Sequence, residues 1–295
     1  MISEKGKDFL FLHAIVVILG FTAILGKLIE LPATGVVFFR TAIAGGLLGL
    51  SLLFNADTQA YARRGIIKLL GAGFVLGIHW ICFFGSAKWA TVAVSLVTFS
   101  TTSFFTTLLS PFFTKKPINR IELLLGLGVV LGVYLVFRFE GDYVAGILIG
   151  LVGALLAALF SHINAHLTQE FPLRTLTFFQ LAGACIPAGV SWALDPTGVW
   201  PNSSDWGWLI LLGAGCTIGP YLGMAYLLRR ISPFTLNLSI NMEPLYGIGL
   251  AYLIFGDTEK MNLGFYLGGI CILITVFGYP LWMAWQERKK ATTQR

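Results

Sequence analysis

The sequence predicts an all-α integral membrane protein of ten transmembrane helices, built as two inverted five-helix repeats with both termini in the cytoplasm. Three observations support this fold class: the overall hydrophobicity, the spacing of apolar segments, and a residue pattern that recurs in the second half of the chain. The 295 residues are 56% hydrophobic and only 12% charged, with a mean hydropathy of +0.80. Because soluble domains carry about 25% charged residues, this composition indicates a bilayer environment.

Ten apolar segments have the length that a hydrocarbon core about 30 Å thick requires, roughly 20 residues per helix. In chain order they are 9–29, 34–54, 65–87, 91–113, 119–138, 144–167, 173–194, 207–229, 233–255 and 262–285. The polar segments between them are short, among them NADTQAYARR, TKKPINR, FEGDY and LDPTGVWPNSSD. The first segment lacks a clear small-x-small cleavage site, so we expect a retained helix instead of a secretory signal.

Basic residues indicate the orientation of the bundle. With the N-terminus inside, the inner segments hold most Lys and Arg residues, whereas the outer segments hold only Lys27, Lys88, Arg138 and Lys260. An excess of basic residues inside places both termini in the cytoplasm. The net charge of +6 therefore reflects membrane orientation. Since the basic residues are scattered over short loops, we expect no nucleic-acid partner.

An internal repeat explains the even number of helices. LLGAGFVLGIHW at 69–80 returns 142 residues later as LLGAGCTIGPYL at 211–222. FFRTAIA at 38–44 aligns similarly with FFQLAGA at 178–184. We divide the chain at 1–140 and 141–295, the second part ending in a short basic tail. Five helices per repeat is an odd number, so the two copies must have opposite orientations.

Two inverted halves can form two nearly equivalent conformations, one open to each side of the membrane. This architecture is typical of alternating access. The simpler alternative is that duplication built a stable bundle, in which small residues such as Gly71, Ala72 and Gly73 allow close helix packing. Packing alone does not explain the polar groups placed inside the predicted helices.

Glu243 is the sharpest of these polar signals. It lies near the middle of the ninth helix, where an ionised carboxylate costs about 2.5 to 3.5 kcal/mol on insertion scales. Pro244 follows directly and lacks a backbone N–H, so we predict a helix break there. Glu243 needs a partner, a water-filled cavity or a proton. The alternative is a protonated Glu243 that binds a neighbouring helix.

Arg40 lies inside the second helix, nearer its outer end. Two interpretations of Arg40 stay open: its side chain extends to the membrane interface, or it has a functional role. Its repeat counterpart is Gln180, and the counterpart of Glu243 is Thr101. We hypothesise that Arg40 and Glu243 either pair or bind opposite ends of a zwitterionic substrate, since Arg suits a carboxylate and Glu an amine.

Further polar and aromatic residues are candidates for the same site. His79 and Trp80 lie in the third helix, and Tyr221 matches His79 in the repeat. Asn237 and Asn241 are four residues apart and share one face of the ninth helix. Each has a structural alternative, such as a hydrogen bond inside the bundle. Together they favour a polar cavity near the middle of the membrane.

The sequence lacks the patterns that mark most enzymes and metal sites. It contains no nucleophile motif, phosphate-cradling loop, paired catalytic carboxylates or ATP-binding domain, so we expect neither an enzyme nor a cofactor. His162 and His166 have a spacing that suits a metal, but no acidic or Cys residue joins them at zinc-site spacing. We therefore predict no metal site.

RTAIAGG at 40–46 and MEPLYGIGLAYLIFGD at 242–257, together with the two five-helix halves, resemble the ten-helix EamA-like members of the drug/metabolite transporter superfamily. The resemblance implies a central cavity lined mainly by helices one, three, four, six, eight and nine, with helices five and ten peripheral. One departure is Thr102, which stands where the match to Pro244 would place a proline, and TKKPINR lacks the acidic residue often seen there.

The resemblance implies a secondary transporter that acts as an exporter in a bacterial inner membrane. We expect it to move amino acids or related zwitterionic or drug-like compounds. An importer of sugar or nucleotide-conjugate metabolites is the main alternative within transport. A scaffold or subunit without transport activity is the alternative from another class. The expected partners are a small-molecule substrate and the lipid bilayer. GLGVVLG at 126–132 suits a homodimer or packing within a monomer.

Overall fold

A computed structural model describes residues 4–54, 62–139, 143–256, 263–264, 266–275 and 278, and these contain helices and no strand. The basic tail at the C-terminus lies outside the described residues. In chain order the helices are α1 Glu4–Leu28, α2 Ala33–Leu53, α3 Arg63–Trp89, α4 Val92–Thr114, α5 Arg120–Phe139, α6 Val144–Glu170, α7 Leu173–Ala193, α8 Ser203–Leu227, α9 Pro233–Phe255 and α10 Tyr266–Thr275. Each predicted helix has a counterpart, which confirms the fold class.

Within the described residues, eight of these helices, α1 to α4 and α6 to α9, are long and apolar enough to span a membrane by length and composition. Large apolar side chains on the bundle surface, such as Leu124 and Ile274, are exposed, as lipid-facing positions are. α5 and α10 pack against each other, and a Cβ atom on Gly132 would lie 2.7 Å from the Gly268 carbonyl oxygen. The chain is therefore a multi-pass integral membrane protein.

Some helix ends differ from the predicted ones for a local reason. α8 begins at Ser203, four residues before its predicted start, because a capping box stabilises its first turn. The Asp205 N–H donates to Asn202 Oδ1 at 2.8 Å, and the Asn202 N–H donates to Asp205 Oδ2 at 3.0 Å. These bonds satisfy backbone donors that a helix start leaves free.

α4 and α9 are each broken at equivalent positions of the two repeats. α4 consists of Val92–Phe99 and Thr102–Thr114, and α9 of Pro233–Ile240 and Glu243–Phe255. The break in α9 precedes Glu243, so Pro244 is the second residue of the second half-helix, where a missing N–H is tolerated. Glu243 thus occupies a half-helix N-terminus near the middle of the span.

The repeated LLGAG segment permits close crossing of α3 and α7. A Cβ atom on Gly73 would clash with the Gln180 carbonyl oxygen, and one on Gly183 with the Leu70 carbonyl oxygen. α2 also packs on α7, and α1 packs on α9. Helices of the two repeats therefore interleave, and the space between them forms a cavity.

Candidate functional site

A cavity between the helices is lined by residues from both repeats. It offers about 100 Å³ to the centres of water-sized molecules. Seven helices contribute to its wall, namely α1, α2, α3, α4, α6, α8 and α9. The lining residues are Leu19, Thr22, Arg40, Leu76, His79, Trp80, Phe83, Phe99, Ala157, Phe160, Ser161, Asn164, Cys216, Thr217, Pro220, Tyr221, Met224, Leu228, Leu236, Asn237, Ile240 and Glu243.

Arg40 reaches this cavity from α2 and is 3% exposed, so it does not snorkel to the surface. Its Nε and Nη2 donate to Thr217 Oγ1 at 3.2 and 3.0 Å. The guanidinium carbon lies 4.2 Å from the Trp80 ring centroid and 5.3 Å from that of Phe84. Aromatic faces attract a cation without neutralising it. The remaining three N–H groups of Arg40 have no acceptor among the described residues.

A π-helical segment of α8 sets the geometry around Arg40. Residues Leu211–Ile218 form this segment, whereas the matching residues of α3 are ordinary α-helix. Pro220 has no N–H to donate to the preceding turn. The Thr217 hydroxyl donates to the Leu212 carbonyl at 2.6 Å, which leaves its lone pairs for the guanidinium of Arg40. Such π segments frequently occur at functional sites.

Glu243 lines the cavity from α9 and is also 3% exposed. None of the described residues donates a hydrogen bond to its carboxylate, and no ion pair joins it to Arg40 in this part of the chain. Its place in the first turn of a half-helix gives its charge support from the helix dipole. The two charged residues therefore face one cavity without neutralising each other directly.

Aromatic rings form much of the wall between these charges. Trp80 meets Tyr221 edge to face, with ring centroids 5.9 Å apart. The His79 ring stacks on Phe99 at 5.3 Å, and its Nδ1 donates to the Gly153 carbonyl oxygen at 2.9 Å. This hydrogen bond holds the imidazole in one orientation. His79, Trp80 and Tyr221 all line the cavity.

Four of the predicted site residues do not form the cavity wall, and three have local partners that explain why. The Thr101 hydroxyl donates to the Thr98 carbonyl at 2.8 Å, so it serves its own helix. Asn241 donates to Ser103 Oγ at 3.0 Å. Gln180 lies behind the wall and contacts Tyr221. Pro244 is buried next to Glu243 and also lies outside the lining residues.

Asn237 lines the cavity, but its polar atoms are already occupied. Its Nδ2 donates to Thr106 Oγ1 at 2.9 Å and to Ser161 Oγ at 3.1 Å, and its Oδ1 accepts from Ser161 at 3.2 Å. This network joins α4, α6 and α9. His162 donates to the Thr106 carbonyl at 2.8 Å. The described residues contain no cluster of three metal-ligating side chains.

Four polar lining residues were missed by sequence reasoning: Thr22, Ser161, Asn164 and Thr217. Asn164 and Ser161 are three residues apart in α6, a spacing that places them on one helix face. That spacing was a usable signal of a polar face on α6, although the spacing of the nearby His162 and His166 suits a metal instead. Nothing in the sequence indicates the π segment that orients Thr217.

Comparison with known proteins adds independent information. The profile of the EamA-like transporter family matches residues 7–138 and again 144–279. A relative named "Uncharacterized transporter YxxF", from Bacillus subtilis (strain 168), is 24% identical over 263 residues, which cover 84% of this chain and 83% of that protein. A solved crystal structure superposes with a TM-score of 0.67 at 18% identity, covering 92% of this chain and 95% of the other, a likeness of fold alone.

Proposed function

This chain belongs to the EamA-like transporter family, and from that premise we propose that it exports amino acids or related zwitterionic or drug-like compounds by alternating access. The proposal rests on one observation: Arg40 and Glu243 face the same cavity, each buried and without an ion-pair partner among the described residues. Transport as a secondary carrier requires no catalytic group. The units 1–140 and 141–295 are proposed as the two moving halves.

The chemistry of the two charges suits a zwitterion. A guanidinium with three unoccupied N–H groups can bind a carboxylate in the planar, two-pronged geometry that Arg favours. A carboxylate without a protein donor can accept hydrogen bonds from an ammonium group. A zwitterionic substrate would therefore bind Arg40 with its carboxylate and Glu243 with its ammonium group. This also compensates the desolvation of both charges.

The size and lining of the cavity suit a small metabolite. The cavity offers about 100 Å³ to the centres of water-sized molecules, which is well above what a single water requires. Aromatic faces of Trp80, Phe160 and Tyr221 offer apolar surface to a side chain. An uncharged sugar would leave Arg40 and Glu243 without complementary charges, which disfavours the importer alternative.

The test is counterflow in proteoliposomes with a mixed pool of labelled amino acids. We expect wild type to exchange amino acids. Arg40→Gln and Glu243→Gln should each lower the rate of exchange at least about tenfold, since each leaves one charge of the bound substrate without its partner. Arg64→Gln and Glu170→Gln make the same changes at exposed positions and should retain flux. Unchanged flux in both cavity variants, or exchange of sugars but not amino acids, would contradict the proposal.

A further inference from the structure

One polar side chain of the cavity has its hydrogen-bonding role set by two residues behind it. Asn164 on α6 lines the cavity and is 2% exposed. Gln180 on α7 donates from Nε2 to Asn164 Oδ1 at 3.0 Å. The Tyr221 hydroxyl donates to Gln180 Oε1 at 3.2 Å. These two bonds run in one direction across three helices.

The direction of this chain decides what Asn164 presents to the cavity. In the orientation that the Gln180 amide adopts, Oε1 accepts from the Tyr221 hydroxyl and Nε2 is the donor that faces Asn164. Asn164 Oδ1 accepts that donor, which leaves the Nδ2 group of Asn164. Its two N–H donors have no acceptor among the described residues. Asn164 is therefore held as a hydrogen-bond donor.

The neighbouring polar groups cannot take this role. Asn237 and Ser161 satisfy one another and Thr106. Phe160 and Met224 add apolar surface, and Arg40 is the only arginine or lysine among the lining residues described. Asn164 thus offers unoccupied donors between neutral polar groups that already have partners and the apolar surface of Phe160 and Met224, where an oxygen acceptor without charge is the complementary group.

The repeat relates this arrangement to the one around Arg40. Gln180 is the counterpart of Arg40, 140 residues later in the chain. Arg40 contacts the aromatic ring of Trp80 on α3, and Gln180 contacts Tyr221 on α8, the corresponding helix of the second repeat. One copy of this position places a charge in the cavity. The other copy instead orients an amide.

We propose that Asn164 is a second subsite of the cavity, which binds an uncharged oxygen acceptor on the substrate, and that Gln180 is the positioning residue that keeps it a donor. The inference rests on the proposed function, in which Arg40 and Glu243 bind the carboxylate and the ammonium. The substrate class is therefore narrowed to amino acids whose side chain carries a neutral oxygen acceptor, such as a carbonyl or sulfoxide.

The mechanism makes a distinctive prediction for Gln180→Glu. In its ionised form a carboxylate here has acceptors only, so it accepts from Tyr221 with one oxygen and from Asn164 Nδ2 with the other. Asn164 must then turn its Oδ1 toward the cavity and becomes an acceptor. Asn164→Asp reaches the same result directly, because its second oxygen faces the cavity while the first still accepts from Gln180. Both changes preserve side-chain size.

The experiment compares L-methionine with L-methionine sulfoxide, which differ by one oxygen that accepts but cannot donate. In proteoliposomes, wild type should show a KM for the sulfoxide lower than that for methionine by about 2- to 12-fold, the range of one net hydrogen bond. Gln180→Glu and Asn164→Asp should abolish or reverse this preference, with the KM ratio of the two probes measured within each variant. Gln169→Glu, exposed near the end of α6, is the matched control and should keep it.

The outcomes separate the subsite from the transport function. Equal KM values for the two probes in wild type, or an unchanged ratio in both variants, would overturn the subsite and leave the proposed function intact. A wild type that exchanges no amino acid at all would overturn the proposed function and the subsite with it. Because either variant alone reverses the polarity of the site, failure of one to fold still leaves the other to decide.

Discussion

Arg40 and Glu243 are both buried charged residues, but their surroundings differ. We infer different roles for them from this difference. Arg40 is supported by the Thr217 hydroxyl and the faces of Trp80 and Phe84. Glu243 receives no hydrogen bond from the described residues. An ionised carboxylate in such a place costs several kcal/mol of free energy unless a proton or a cationic group joins it. Glu243 is therefore the residue at which we expect proton coupling.

Proton coupling predicts a specific response of flux to a pH gradient. A gradient should accelerate amino-acid flux through wild type, because proton binding and release at Glu243 accompany the change of access. Glu243→Gln cannot exchange that proton, so it should lose the acceleration. Glu170→Gln, which removes an exposed carboxylate, serves as control. Equal acceleration in wild type and Glu243→Gln, measured by isotope flux in proteoliposomes, would exclude Glu243 as the coupling site.

Sequence reasoning found the charged site residues because a charge inside a membrane helix is costly wherever it points. It could not rank the neutral polar residues, whose roles depend on whether a neighbour already satisfies them. Thr101 bonds its own backbone and Asn241 bonds Ser103, whereas Asn164 keeps free donors. The residue type is visible in the sequence, but its remaining hydrogen-bonding capacity is not.

Among the helices, the breaks in α4 and α9 show what a local signal can and cannot predict. Pro244 marked the break in α9, yet α4 breaks at the equivalent place without a proline. Hydroxyls there bond nearby carbonyls, from Ser100 to Leu96 and from Thr101 to Thr98. Such side-chain bonds compete with the helix ladder. A run of Ser and Thr was therefore a second break signal.

The crossing of α3 and α7 makes a prediction about two neighbouring glycines. Gly73→Ala places a methyl group against the Gln180 carbonyl and should destabilise the protein by about 1 to 3 kcal/mol. Gly71→Ala meets nothing within 4 Å and should be neutral or slightly stabilising, since Ala is the better helix former. Thermal unfolding of both variants in detergent checks this. Equal melting temperatures of the two variants would contradict this prediction, because the α3–α7 crossing would then accommodate the methyl group at no cost in stability.

Considered as a whole, the molecule builds its cavity from both repeats. α1, α2, α3 and α4 contribute from the first, and α6, α8 and α9 from the second. The count of ten helices and the twofold repeat were predictable because hydrophobic length and recurring LLGAG and FF patterns are properties of the chain itself. The cavity was not, since it depends on how helices from distant parts of the sequence cross.

Alternating access requires that the cavity open to each side of the membrane in turn. The native thiol of Cys216 offers the most direct test of this. Cys216 lines the cavity and is 7% exposed. In a transport-active variant with Cys82, Cys185 and Cys271 replaced by Ala, a membrane-impermeant maleimide would be applied to sealed vesicles of each orientation. Alternating access predicts modification of Cys216 from either side, slowed by a transported amino acid. Modification from one side only, while the variant still transports, would contradict it.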